Sequence, residues 1–279
     1  MNQTLQIPQS IPFYKFDGAG NDFVLMDFRE QEFQLTTSQV ARLCHRRFGI
    51  GADGLMSLHK APNGYDFEMR YYNSDGRLAS MCGNGGRCIA VFAYLLSLGS
   101  HGRGDGLCQM DFIGPDGPHH ADVLLWDAAT GVGLVRLGMR TVSCADIRRC
   151  LDGWFLDTGS PHYVQRVSDL ENFDVVGQGR AIRNRTDLFP EGTNVDFIED
   201  RPDGSLFVRT FERGVEDETW ACGTGVTACA LVSGNNRVHT RGGDFRVTFN
   251  ATGNSYENVC LTGPVAYNFC GRTALPSIG

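Results

Sequence analysis

Cys82 and Cys222 each open the same short phrase, MCGNGGRC at 81–88 and ACGTGVTAC at 221–229. Each phrase reads as a small or apolar residue, then Cys-Gly-polar-Gly, then a run of helical character. A cysteine at a helix start meets unpaired amides and a partial positive charge, and both lower its pKa. The helix dipole contributes about 0.3–2 kcal/mol, so the expectation is a thiol that gives or takes a proton near neutral pH. The glycines let backbone amides approach an anion such as a carboxylate. Two such thiols flanking one carbon would stand about 6–7 Å apart. At that range two thiolates repel by about 2.5 kcal/mol at an effective dielectric of about 20. One thiolate and one thiol is then the favoured state, a base on one face of the carbon and an acid on the other.

Other polar residues fit around this pair. Glu212 and Arg213 stand shortly before Cys222, where a carboxylate could tune a thiol and a guanidinium could hold a carboxylate bidentately. His162, in GSPH at 159–162, could polarise a thiol or cap a strand. Asn21, Asn73 and Asn194 all lie where turns are expected and are equally readable as turn residues. Cys44, Cys88, Cys108, Cys144, Cys150, Cys229, Cys260 and Cys270 read as packing residues.

The segments that must position these groups are mostly strands. FYKFDGAGNDFVLMDF (13–28) reads as strand, glycine turn, strand, and DFEMRYY (66–72) as a strand followed by the turn NSDG. TTSQVARLCHRRF (36–48) reads as a helix capped by Thr37 or Ser38, with Val40, Leu43 and Cys44 on its apolar stripe. CIAVFAYLLSLG (88–99) reads as an apolar helix closed by Gly99. His119 and His120 fall in a turn-rich stretch, GPDGPHH, and are expected to face water. Strands follow at ADVLLW, VGLVRL, GWFLDTG, PHYVQRV, NVDFIE and SLFVRTF, then a second helix after Cys222, then strands at DFRVTF, NVCLTG and VAYNF. Many strands plus one prominent helix, twice over, suggests a diverged internal duplication. GIGADG (49–54) matches a dinucleotide-binding fingerprint literally, but a helix-like segment precedes it and a strand-like one follows, the reverse of what that motif requires.

Composition excludes several classes. A net charge of −7 argues against a nucleic-acid partner. The chain contains no apolar run long enough to span a membrane. The opening MNQTLQIPQSIPF lacks the charged and apolar regions of a secretory signal, so a cytoplasmic location with reduced thiols is expected. The cysteine spacings do not suit a structural zinc site, and no metal is expected. Lys15 and Lys60 are the only lysines, and neither stands in a phosphate-cradling context, so a pyridoxal phosphate cofactor is not expected.

In order along the chain, FYKFDGAGNDFV, RRFGIGADGL, MRYYNSDG, MCGNGGRC, GSPH, GTNVDF, FERGVEDET and ACGTG together resemble the diaminopimelate epimerase family. The resemblance implies an α/β fold of two pseudo-symmetric domains, each a mainly antiparallel sheet wrapped around a central helix, with the site in the cleft between them. It places one half at 1–128 plus 267–279 with Cys82, and the other at 129–266 with Cys222. It implies a cofactor-independent isomerase interconverting L,L- and meso-diaminopimelate in lysine and peptidoglycan precursor synthesis. Cys222 would accept the proton of the L,L substrate and Cys82 would donate one. His162 and Glu212 would adjust the thiols, while Asn21, Asn73, Asn194, Glu212 and Arg213 would contact the substrate. Gly83 with Asn84, and Gly223 with Thr224, would form the amide loops beneath the reacting carbon. The resemblance further implies a small amino-acid substrate and a homodimer. Ser160 and Gly54 depart from the Asn and Gln of many relatives, which puts two substrate contacts in question. The competing readings are a proline or hydroxyproline racemase-type epimerase and a non-catalytic small-anion-binding relative.

Overall fold

A computed structural model describes residues 10–31, 33–62, 64–101 and 106–275. The opening segment through residue 9, part of the stretch read for a secretory signal, lies outside the described residues. The chain forms two compact units, one of Met1–Gly133 with Val265–Gly279 and one of Leu134–Pro264.

In the first unit, β1 (Ser10–Gly18), β2 (Asn21–Asp27), α1 (Thr37–Cys44), β3 (Gly54–His59), β4 (Phe67–Asn73), α2 (Gly83–Leu95), β5 (Ser100–His101), β6 (Cys108–Gly114) and β7 (Gly117–Asp127) follow in order. The second contains β8 (Val132–Gly138), β9 (Val142–Ser143), β10 (Arg148–Cys150), β11 (Gly153–Asp157), β12 (Pro161–Arg166), α3 (Val175–Arg183), β13 (Asn194–Asp200), β14 (Leu206–Glu212), β15 (Asp217–Thr219), α4 (Gly223–Ser233), β16 (Arg237–Thr240), β17 (Gly243–Ala251) and β18 (Ser255–Ala274). The chain passes between the units within β8 and returns within β18.

The duplication is legible in the strand pairing. In the first unit the antiparallel pairs β1–β2, β3–β4 and β6–β7 are joined by the parallel pairs β2–β3 and β4–β6. The second repeats this with β11–β12, β13–β14 and β16–β17, joined by β12–β13 and β14–β16. A parallel pair needs a crossover. Each first crossover contains α1 or α3, and each second contains α2 or α4. The two cysteine helices therefore occupy the same place in each repeat.

α2 is buried on all sides from Gly83 to Ala93 and packs against β1, β2, β3 and β7. α4 packs against β11, β12, β13, β14, β16 and β17. Each sheet thus wraps around one helix. α1 and α3 cover other sheet surfaces through clusters that include Phe13, Val24, Met26, Val40 and Leu43 in one unit and Tyr163, Val175, Phe197 and Phe211 in the other. Strands covered on both faces are apolar without alternation; β3 is buried throughout and β14 from Leu206 to Phe211.

Several elements differ from the sequence reading. Thr36, not Thr37 or Ser38, caps α1, and its capping box with Gln39 fixes the start. The helix ends at Cys44, where His45 turns to extended backbone. α2 begins at Gly83 and stops at Leu95, so Gly99 follows the helix by several residues. NVCLTG and VAYNF belong to one strand, β18. The turn before His119 and His120 ends at Gly117, and both histidines lie within β7. His119 stacks on Phe112 rather than projecting freely into water. α3 is absent from the sequence reading, its Asp174 cap and closing Arg180 and Arg183 being masked by glycines at 177 and 179. Cys270 is exposed, so it does not serve as a packing residue.

Candidate active site

Cys82 and Cys222 are the N-caps of α2 and α4, with nearly superimposable backbones (φ −114°, ψ 122° and φ −113°, ψ 114°). Neither sulfur caps its own helix. Each cysteine carbonyl accepts the first intrahelical bond, from Gly86 N and Val226 N at 2.8 Å. Further along, Arg87 Nη1 and Thr227 Oγ1 donate to the carbonyls of Gly83 and Gly223 at 3.3 and 2.9 Å, a shared device at equivalent positions.

Around Cys82 the first unit assembles Gly83, Asn84 and Asn21. β1 and β2 join through a two-residue turn, Ala19 and Gly20, both with positive φ (59° and 87°). This turn sets Asn21 at the head of β2 and brings Gly18 against α2, where a Cβ would lie 2.8 Å from the Asn84 carbonyl oxygen. Asn21 Oδ1 accepts from Cys82 Sγ at 3.7 Å and from Asn84 Nδ2 at 3.4 Å, while its Nδ2 donates to Asp53 at 2.7 Å. Asn84 Oδ1 in turn accepts from Arg87 at 3.0 Å. Arg87 has no exposed surface, and burial lowers its guanidinium to about 10 against the pull of Cys88 and Cys82. Asn73 stands at the exposed end of β4, paired with Gly54.

Asn21 belongs to a wider ionic lattice. Lys15 is buried and donates to Asp22 and to the Gly51 carbonyl. Arg46 bridges Asp22 and Asp53 at 2.8 and 2.6 Å. Burial alone would raise the Asp22 carboxyl, but Arg46 and Lys15 hold it far below the usual carboxylate range. Lys60 is exposed and lies 3.6 Å from Glu30.

Around Cys222 the second unit assembles Thr224, His162, Ser160 and Asn194. The parallel register of β12 and β13 puts His162 opposite Asn194. His162 Nδ1 lies 2.7 Å from Asp196 Oδ2 and its Nε2 lies 2.9 Å from Thr224 Oγ1, which is 3.3 Å from Cys222 Sγ. Asn194 Nδ2 donates to Ser160 Oγ and to the Pro161 carbonyl, and its Oδ1 accepts from Arg213 N at 2.8 Å. The Arg213 guanidinium donates to the Glu191 carbonyl at 2.9 Å. Ser160 joins this network, contacting His162 and Thr224 at 3.0 and 3.1 Å.

The Cys222 thiol departs from the sequence expectation. Burial pushes it well above its ordinary value, reinforced by the carboxylates of Glu212 and Asp196. Thr224 and the Gly225 amide pull the other way and do not prevail. The dipole argument omitted the cost of burying a thiolate, which is the larger effect here. Cys88 and Cys229, fully buried one helical stripe further on, are also raised by burial, as inert core thiols should be.

Sequence reading missed Arg87, Asp196 and the Asp22–Asp53 pair. Asp196 was findable as the charged residue inside the apolar strand NVDFIE, and Lys15 as the charge inside FYKF. The parallel pairs Phe23–Gly54 and His162–Asn194 correspond, since a Cβ at Gly85 would meet Phe23 and Met56 where one at Gly225 would meet His162 and Asp196. The two repeats thus put different chemistry at equivalent sites.

Among the described residues no helix is long and apolar enough to cross a membrane, and no group of His, Cys, Asp or Glu is arranged to hold a metal ion. The fold is that of two-unit racemases and isomerases. A crystal structure of a probable proline racemase from Agrobacterium radiobacter superimposes with a TM-score of 0.69 at 14% identity, covering 95% of this chain and 93% of that one. The profile of the family described as diaminopimelate epimerase matches residues 13–103 and 154–267. The chain is 41% identical over 267 residues to a diaminopimelate epimerase of Flavobacterium psychrophilum, covering 92% of this chain and 97% of that one. It is 46% identical over 221 residues to one from Chlorobaculum tepidum, covering 77% and 80%. The chain belongs to the diaminopimelate epimerase family and is an isomerase.

Proposed function

We propose that this enzyme interconverts L,L- and meso-2,6-diaminopimelate without a cofactor, in lysine and peptidoglycan precursor synthesis. The observation that carries the reading is the pair of cysteine N-caps with matching backbones in a chain of this family. For the L,L substrate, Cys222 as thiolate removes the α-proton, and Cys82 as thiol returns one to the opposite face. The hydrogen-bond partners beside each sulfur support this division, against the burial and the Glu212 and Asp196 carboxylates that hold Cys222 as a thiol at rest. Asn21 Oδ1 accepts from the Cys82 S–H, as a proton-donating thiol requires. Cys222 instead faces a hydroxyl and a histidine able to receive its proton.

Gly83 with Asn84 and Gly223 with Thr224 supply amides for the charge developing beside the reacting carbon. Asn21, Asn73, Asn194, Glu212 and Arg213 bind the amino and carboxylate groups, and His162 and Glu212 set the thiols' protonation. The two units are the Cys82 and Cys222 halves of one duplicated epimerase, which works in the cytoplasm as a homodimer. The test is a racemisation assay on a panel of L-amino acids with no cofactor added. L,L-diaminopimelate should turn over and proline should not. Comparable turnover of proline would move the enzyme to the proline racemase type.

A further inference from the structure

We propose that Asp196 is a positioning residue, holding His162 so that its Nε2 takes the proton of Cys222 through the hydroxyl of Thr224. The proposal rests on the reading of Cys222 as proton acceptor. Asp196 and His162 have no exposed side-chain surface. Asp196 Oδ1 accepts from Thr210 Oγ1 at 2.7 Å, and Oδ2 stands 2.7 Å from His162 Nδ1. A carboxylate only accepts, so Nδ1 carries the hydrogen and the Nε2 lone pair is free to accept. Two hydroxyls stand beside it, Thr224 Oγ1 at 2.9 Å and Ser160 Oγ at 3.0 Å; Thr224 is also 3.3 Å from Cys222 Sγ, so it donates to Nε2 and turns a lone pair toward the thiol. Asn194 Nδ2, at 3.4 Å, already donates to Ser160 and Pro161.

The step balances. The S–H bond of Cys222 breaks as its proton passes to Thr224 Oγ1, whose own proton passes to Nε2. The products are a thiolate and an imidazolium paired with the Asp196 carboxylate. Glycine at 225 makes the arrangement possible, because a Cβ there would lie 2.4 Å from Asp196 Oδ1 and 3.2 Å from His162 Cε1.

The direction of one shift tests the idea. As a bare charge, Asp196 opposes the thiolate, as do Glu212 on β14 and the neighbouring Cys229 on α4 once ionised. Removing that charge would then make Cys222 ionise more easily. As the residue that fixes His162, its removal does the reverse, because an amide at 196 can donate to Nδ1 and turn Nε2 into a donor. Iodoacetamide alkylation of Cys222, resolved by peptide mass spectrometry across pH, separates the two. In Asp196→Asn the inflection should move up by about one pH unit or more, with alkylation at neutral pH about ten-fold slower. An unchanged or lowered inflection would overturn the proposal.

Nitrogen-15 NMR of the wild-type histidine ring makes the same decision without a variant. Neutral His162 should carry its proton on Nδ1, and a proton on Nε2 would overturn the assignment. Neither readout uses a substrate. A wild-type enzyme inactive on L,L-diaminopimelate would therefore sink the functional reading while these two measurements still decide the role of Asp196.

Discussion

At the scale of single residues, glycines decide how close the chemistry can come to the helices. Gly85 and Gly225 occupy the same motif position but have different neighbours. A Cβ at Gly85 would fall 1.9 Å from Met56 Cε, the far end of a flexible side chain that can swing aside. A Cβ at Gly225 would meet Asp196, which Thr210 and His162 hold from two sides. Gly225→Ala should therefore cost about 1–3 kcal/mol of stability by overpacking and displace His162, with a large loss of activity. Gly85→Ala should cost less than about 1 kcal/mol, since the helical gain of alanine offsets part of the strain. Urea denaturation and initial rates check both. A Gly225→Ala enzyme as stable and active as Gly85→Ala would contradict the rigid placement of Asp196.

At the scale of elements, the β1–β2 hairpin and the segment between the end of α1 and β3 form one electrostatic joint. Lys15 on β1, Asp22 on β2, Arg46 beyond α1 and Asp53 before β3 lie in it, and Asn21 hangs from Asp53. The folded Asp22 carboxyl is depressed, so its stabilisation is fully present above the unfolded value of about 3.9 and is lost as pH falls through the folded value. Asp22→Asn leaves Lys15 buried without its charged partner, though still bonded to the Gly51 carbonyl, and should cost about 2–4 kcal/mol at neutral pH. The gap from wild type should narrow below about pH 4. Thermal unfolding at several pH values measures it, and a gap independent of pH would contradict the account.

The hairpin itself was legible from DGAG and the β4 strand from its alternation, because turn glycines and half-buried faces leave local signals. β3 and β14, covered on both faces, gave only apolar runs. α3 was missed although Asp174 caps it and Arg180 and Arg183 close it, because Gly177 and Gly179 mask the helical pattern and packing against Phe211 supplies much of its hold. Both cysteine caps were legible because Cys-Gly-x-Gly states a helix start and its glycines together. The protonation of Cys222 was not, since the burial that dominates it and the Asp196 carboxylate come from packing that the Cys-Gly-x-Gly phrase does not state, with the nearby Glu212 adding to them.

At the scale of the whole molecule, one pattern of hairpins, parallel joins and central helix occurs twice, and the copies have diverged where they meet chemistry. The first surrounds its cysteine with Asn21, Asn84 and Arg87. The second surrounds its cysteine with Thr224, His162 and Asp196. On the proposed function, the two copies divide one proton transfer, with one cysteine taking a proton and the other giving a different one. Epimerisation of L,L-diaminopimelate in deuterium oxide tests it directly, because the donating thiol equilibrates with solvent. The first product molecules should carry deuterium at the inverted carbon while substrate recovered early still carries protium there. Early product that keeps the substrate's own proton would contradict the two-cysteine mechanism.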